Sequence, residues 1–247
     1  MGGLTITGVA GSVAESWEAL FKRDALDKLP PRTRYLRDVM AVKAEYAYSS
    51  AFSAFATLQT YDDRLGSATL PVGTPALGGQ VVSAGMKYAQ GGFQLTSELA
   101  AADTEDKLTG LDRNGHAFVI DGIYRFASSG IGLRFGFHDL DAKFASLAQT
   151  VAPGIKEWYV GADWPITPQL NWSIDLRDAT TRVAATALAP ASSSDLETVS
   201  NRLSYSFTSI TGLMLSLSDT LNKAHDALGN ASNNDTTQIN LNYGSGL

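Results

Sequence analysis

The chain has 247 residues, 44% hydrophobic and 18% charged, with a formal net charge of −6 and no cysteine. An acidic balance argues against nucleic acid as a partner, because phosphate binding needs a basic face. The missing cysteine removes disulfides, thiolate metal sites and cysteine nucleophiles together. No run approaches the ~18 consecutive apolar residues of a spanning helix, yet the mean hydropathy of −0.05 is also what alternating strands produce by averaging.

In chain order, residues 4–9 alternate briefly and read as a partial strand. Residues 10–38 read as a long loop holding a short helix at Glu15 to Leu29, with Trp17, Leu20, Phe21, Ala25 and Leu29 roughly on one side and Pro30-Pro31 as its stop. Glu15, Glu18, Lys22 and Arg23 interrupt any apolar core, so the first 25 residues do not read as a secretory signal.

Residues 39–243 then repeat one unit: two arms of period-two alternation around a short turn, five times, followed by a final arm. Met40, Val42, Ala44, Tyr46 and Tyr48 oppose Lys43 and Glu45; the return arm sets Phe52, Ala54, Ala56 and Leu58 against Ser53, Thr57 and Gln59, with Phe55 the one apolar residue on the polar side. Later arms repeat this, with Val82 to Tyr88 opposing Lys87, Phe93 to Leu99 opposing Glu98, and Phe118 to Phe126 opposing Asp121 and Arg125. Ile131 to Phe137 opposes Arg134 and His138, Trp158 to Trp164 opposes Asp163, and Leu170 to Leu176 opposes Asp175 and Arg177. Val199 to Phe207 opposes Arg202, Leu213 to Leu217 opposes serines, and Ile239, Leu241 and Tyr243 oppose asparagines.

Connections inside the pairs are short. Those between pairs are long where alternation lapses: roughly 62–79, 102–115, 139–155, 178–197 and 219–236. Tyr48, Tyr88, Phe126, Trp164, Phe207 and Tyr243 each end an arm entering a short turn, as an aromatic girdle at a membrane interface would. The polar side holds Ser, Thr, Asn, Gln and Gly with sparse charge of both signs, where a solvated face would carry more Lys and Glu. These features predict an all-β, transmembrane, up-and-down antiparallel β-barrel, one domain over residues 1–247 with about 12 strands, short turns on one rim and long loops on the other. A soluble all-β sheet is the competing fold, since any half-buried strand alternates.

Met86-Lys-Tyr-Ala-Gln-Gly-Gly-Phe-Gln-Leu95 and Gly122-Ile-Tyr-Arg-Phe-Ala-Ser-Ser-Gly-Ile-Gly-Leu133 resemble the hairpins of the porin-type barrels of Gram-negative bacteria, a likeness of pattern over roughly Val39 to Tyr243. It implies a bacterial outer-membrane location, passive diffusion of small polar solutes or ions through a lumen, contact with membrane lipid, and a homo-oligomer, often a trimer. The start without a signal and the end without a terminal aromatic lead to the expectation of a fragment of a longer protein.

On this reading Lys43, Glu45, Lys87, Glu98, Asp121, Arg125, Arg134, Asp163, Asp175, Arg177 and Arg202 line the pore. Their mixed signs predict weak ion selectivity. The alternatives are an occluded or non-selective barrel serving as a secretion conduit or anchor, and, more remotely, an outer-membrane hydrolase using His138-Asp139 with Asp62-Asp63. The expectation is no enzyme, no cofactor and no metal: phosphate-loop and dinucleotide patterns are absent, and Asp139, Asp141, Asp219 and Asp226 lack metal-loop spacing.

Overall fold

The computed structural model describes residues 2–13, 36–65, 76–144, 153–185, 190–210 and 212–243. The strands are β1 (Gly3–Val13), β2 (Arg37–Ala47), β3 (Phe52–Asp63), β4 (Leu77–Gln90), β5 (Phe93–Asp106), β6 (Leu111–Asp112), β7 (Gly115–Arg125), β8 (Gly132–Leu140), β9 (Ile155–Pro165), β10 (Leu170–Val183), β11 (Ser192–Ser206), β12 (Leu213–His225) and β13 (Ala231–Tyr243). Every strand except β6 neighbours the next in sequence, an up-and-down order; the two-residue β6 pairs only with β5.

The strands outrun the sequence-based expectation. β1 reaches Val13 and β2 begins at Arg37, inside the stretch expected to be loop; the helix expected at Glu15 to Leu29 lies outside the described residues. The connection expected to span 219–236 is only the turn 226–230, and the one expected over 178–197 is 184–191. Short connections at 48–51, 91–92, 126–131, 166–169 and 207–212 still alternate with generally longer ones.

The chain divides into two compact units. One comprises Met1–Gly85, Glu98–Ala117 and Lys143–Thr150; the other comprises Met86–Ser97, Phe118–Ala142 and Val151–Leu247.

In the first unit, β2 stands between β1 and β3 in continuous antiparallel register, with Lys43 opposite Thr7 and Thr57, and Val42 opposite Gly8 and Leu58. On one face of this sheet Met40 (49%), Val42 and Leu58 lie open, while Gln59, Tyr61 and Asp63 (2%) on the other face are buried. Asp63 accepts two bonds from Arg37, at 2.7 and 2.8 Å, and one from the backbone N–H of Leu77 at 2.8 Å. Phe55, the apolar exception on this face, lies opposite Glu45, and the Lys43 ammonium sits 4.7 Å from its ring centroid. The ring is therefore a cation–π partner on a polar surface.

In the second unit, β8 to β13 form five successive antiparallel ladders. Phe135, Val160, Leu176, Val199 and Leu221 form one row across β8 to β12, and alternate rows along each strand present the same face. Here too Trp158, Val160, Trp164, Leu203 and Leu217 are exposed, whereas His138, Glu157 (6%) and Ser216 on the opposite face are buried. A water-soluble sheet buries its apolar face, because apolar area removed from water contributes about 25 cal/mol per Å². Both units leave that face open.

The turn 226–230 is tied by Asp226, whose carboxylate accepts from the N–H groups of Leu228 (2.9 Å) and Asn230 (2.8 Å) and from the Asn230 amide (2.7 Å). The Asn230 amide holds its pKa below the ordinary value, with the backbone bonds adding to the effect. A lowered carboxylate contributes stability above its unfolded pKa and loses it as pH falls through the folded value. Acidification is therefore expected to lower the protection factors of the Leu228 and Asn230 amides, measured against the intrinsic exchange rate at each pH, before those of the β12–β13 ladder; protection factors that stay constant down to strong acid would refute this.

Candidate functional site

The second unit concentrates charge on its polar face. Three consecutive same-face rows can be read across β8, β9, β10 and β11: Gly132, Asp163, Ser173 and Arg202; then Arg134, Gly161, Asp175 and Ser200; then Gly136, Tyr159, Arg177 and Thr198. His138 and Glu157 open the next row. Direct cross-strand neighbours lie within reach of one another, so register decides which charges meet.

Arg134 reaches across Gly161 to Asp175, with Nε at 3.0 Å and Nη2 at 2.6 Å from Oδ1, and also bonds Asp163 through Nη1. Glu157 receives the His138 ring at 2.8 Å on Oε1 and the Arg177 Nε at 2.7 Å on Oε2. The other ring nitrogen of His138 lies 2.9 Å from Asp121 Oδ1, and the Tyr159 hydroxyl donates to that same oxygen at 2.6 Å. The result is a chain of contacts running Arg177, Glu157, His138, Asp121 and Tyr159, beside the Asp163–Arg134–Asp175 triad.

Two glycines make room for it. A methyl group on Gly161 would lie 2.7 Å from Arg134 Nε and still nearer to Asp175 Oδ1; one on Gly136 would collide with the Tyr159 ring and sit 2.7 Å from Asp121 Oδ1. Glycine at these points lets long side chains lie flat over the strand.

Of the residues expected to line a pore, the structure brings together Asp121, Arg134, Asp163, Asp175 and Arg177 in this network. Lys43 and Glu45 form a separate 2.8 Å pair in the first unit, with Ser53 donating to Glu45 at 3.0 Å. Arg202 stands opposite Ser173 and Ser218; Lys87 and Glu98 are carried by β4 and β5, and Arg125 ends β7. Glu157 and Tyr159 go beyond the sequence reading: Glu157 precedes an arm that begins at Trp158, and Tyr159 lies within that arm as an aromatic without formal charge; stepping by two from Asp163 places both on the polar side.

His138 and Asp139 face opposite ways. His138 meets Asp121 and Glu157, whereas Asp139 meets Arg182 and, at 3.9 Å, Lys156. The adjacent pair is thus not one catalytic unit. Among the described residues, no group of three or more His, Asp or Glu side chains is disposed to hold a metal ion.

The aromatic residues at the short turns pack against further rings. Tyr48 meets Tyr46 edge-on at 4.6 Å, Tyr88 meets Phe93 at 6.0 Å, and Phe126 meets Tyr124 at 4.6 Å. Trp164 meets Trp172 at 6.4 Å and Phe207 meets Tyr205 at 5.0 Å. Tyr243 closes β13 opposite Leu213.

The outer membrane channel DcaP of Acinetobacter baumannii is similar in structure to this chain, with a TM-score of 0.55 at 14% identity over 85% of this chain and 63% of DcaP. The fold is of the outer-membrane antiparallel β-barrel type. Acinetobacter baumannii OccAB4 is also similar, at 12% identity and a TM-score of 0.43, over 83% of this chain and 52% of OccAB4. The chain thus spans less than two thirds of either channel. No protein-family model and no curated protein sequence matches it.

Proposed function

We propose that this chain is an outer-membrane protein that lets small polar solutes and ions diffuse passively, with membrane lipid against its apolar face and the polar face lining the path. The observation that carries this reading is the inverted burial: Trp158, Val160, Trp164 and Leu217 lie open while Asp63, His138 and Glu157 are enclosed. Hydrocarbon accepts the first set, and a water-filled lumen accepts the second. Between neighbouring strands the ladders pair the backbone groups that face one another, as lipid demands of the interior of a spanning sheet.

The polar face of β7 to β11 in the second unit carries Asp121, Glu157, Asp163 and Asp175 against Arg125, Arg134, Arg177 and Arg202. Balanced fixed charge gives no strong preference by sign. The expected result in planar bilayers is discrete conductance steps with a cation-to-anion permeability ratio near unity. Protein that inserts and yields no steps would defeat the diffusion reading.

A further inference from the structure

Between the charged ladder and β11 the polar face of the second unit has a concavity of about 390 Å³, lined by Glu157, Tyr159, Asp175, Leu176, Arg177, Thr198 and Ser200. We infer that it is a subsite for neutral polyhydroxylated solutes, monosaccharides above all; this rests on the channel reading and names a solute class for it.

Size admits a small ring, since small-molecule sites occupy roughly 300–1,000 Å³. Charge excludes much else. Glu157 is already held by Arg177 and His138, and Asp175 by Arg134. An ionic solute has to compete with one of these pairs or enter with its own charge uncompensated, and stripping water from an uncompensated charge is costly. A neutral polyol breaks no ion pair.

Hydrogen-bonding capacity remains after the internal pairing is complete. Ionised carboxylates have about four lone-pair sites between their two oxygens, and hydroxyls accept as well as donate. Tyr159 spends its proton on Asp121, which leaves its oxygen able to accept. Thr198 donates to Asn222 at 2.9 Å, and the Ser200 hydroxyl lies 3.3 Å from that of Thr220; their oxygens also keep acceptor capacity. A sugar is a ring of hydroxyls that donate to such acceptors. The Tyr159 ring, held at its hydroxyl by Asp121 and edge-on to His138 at 5.8 Å, adds an apolar surface beside those acceptors for the C–H face of a sugar. The same face continues through β12 and β13 with Ser218, Thr220, Asn222, Thr236 and Gln238, an uncharged track of hydroxyls and amides leading away from the concavity.

The test is single-channel recording of the wild-type protein with glucose on one side, beside glucuronate and glucosamine, which add a negative and a positive charge to the same ring. Glucose is expected to interrupt the current at a frequency that saturates with concentration, and to half-saturate at a lower concentration than either charged analogue. Combining Tyr159→Phe with Thr198→Val is expected to raise the half-saturating glucose concentration about tenfold, the scale of one or two lost hydrogen bonds. If the variant does not fold, the three-sugar comparison on wild-type protein decides alone. A conducting channel that ignores glucose, or that holds glucuronate or glucosamine more tightly, overturns the sugar assignment and leaves the channel standing. Absence of any conductance removes the channel itself.

Discussion

Glu157→Gln is expected to destabilise the folded protein by about 2–3 kcal/mol, a large loss for one near-isosteric change. The carboxylate is buried and faces two donors, the His138 ring at 2.8 Å and the Arg177 guanidinium, whose Nε lies at 2.7 Å. Glutamine keeps the volume but removes the negative charge: its carbonyl oxygen can still serve Arg177, while its NH₂ meets His138 Nδ1, which stays bonded only in the neutral tautomer that carries its proton on Nε2 towards Asp121. Removing one partner of a buried ion pair costs about 3–5 kcal/mol. Arg177 is half exposed (47%), and water takes up part of its lost pairing, which sets the expectation at or below the lower end.

Glu45→Gln is the control. Its Lys43 partner is equally close at 2.8 Å, but both side chains are about one-third exposed, and such pairs are worth about 0–1 kcal/mol. Urea unfolding in detergent, followed by tryptophan fluorescence, compares the two. Adding Arg177→Gln to Glu157→Gln should recover part of the loss, because the second change removes the stranded charge. Equal losses at positions 157 and 45 would show that the ladder does not behave as a buried network.

The strands and their faces were legible in the sequence because period two is a direct consequence of the pleat. Lys43 and Glu45 do oppose Val42 and Ala44, and Trp158, Val160, Ala162 and Trp164 do share a face. Strand ends were not legible, for a physical reason. The lapse of alternation places the starts of long loops at Asp62, Asp139, Asp178 and Asp219, yet β3 continues to Asp63, β8 to Leu140, β10 to Val183 and β12 to His225. Each of these aspartates stands on the apolar face, in line with Leu58, Phe137, Leu176 and Leu217 respectively. At Asp62, Asp139 and Asp178 the alternation stops because the strand leaves the apolar band, while backbone pairing carries on; at Asp219 it is only interrupted, since Leu221 follows on the same face. What the sequence marks is thus the edge of the band, displaced from the end of the strand. β13 shows the extreme case: Ala231 to Gln238 is polar on both faces and fully laddered to β12.

The network was half legible for a related reason. Alternation assigns Asp121, Arg134, Asp163, Asp175 and Arg177 to one face, but says nothing of which neighbours meet. Arg134 and Asp175 are 41 residues apart, and they touch because β8 and β10 flank β9 at Gly161. Register, fixed by turn lengths and by the need to keep every apolar row on one side, supplies that information. The same logic accounts for Phe55, a misfit by polarity alone that becomes a suitable neighbour once Lys43 is known to lie above it.

The band itself can be measured by depth. Val160 stands on the apolar face of β9 between Phe135 and Leu176. Thr180 is on the same face of the neighbouring strand β10, in register with Lys156 and Asp195, where the chain already carries charge. If this face lies in hydrocarbon, Val160→Arg is expected to cost about 2–4 kcal/mol and Thr180→Arg about 0–1 kcal/mol. The two sites are separated by two same-face rows, four residues along β9, since Thr180 pairs with Lys156, so roughly 13 Å of strand at ~3.3 Å per residue divides a costly site from a tolerant one. Unfolding free energies of both variants in phospholipid vesicles give the comparison. An arginine at position 160 that costs no more than one at 180 would mean that water, not lipid, covers this face, and the membrane assignment would fall with it. A soluble sheet with the same exposure would show no depth dependence, because an exposed surface arginine costs little at either height.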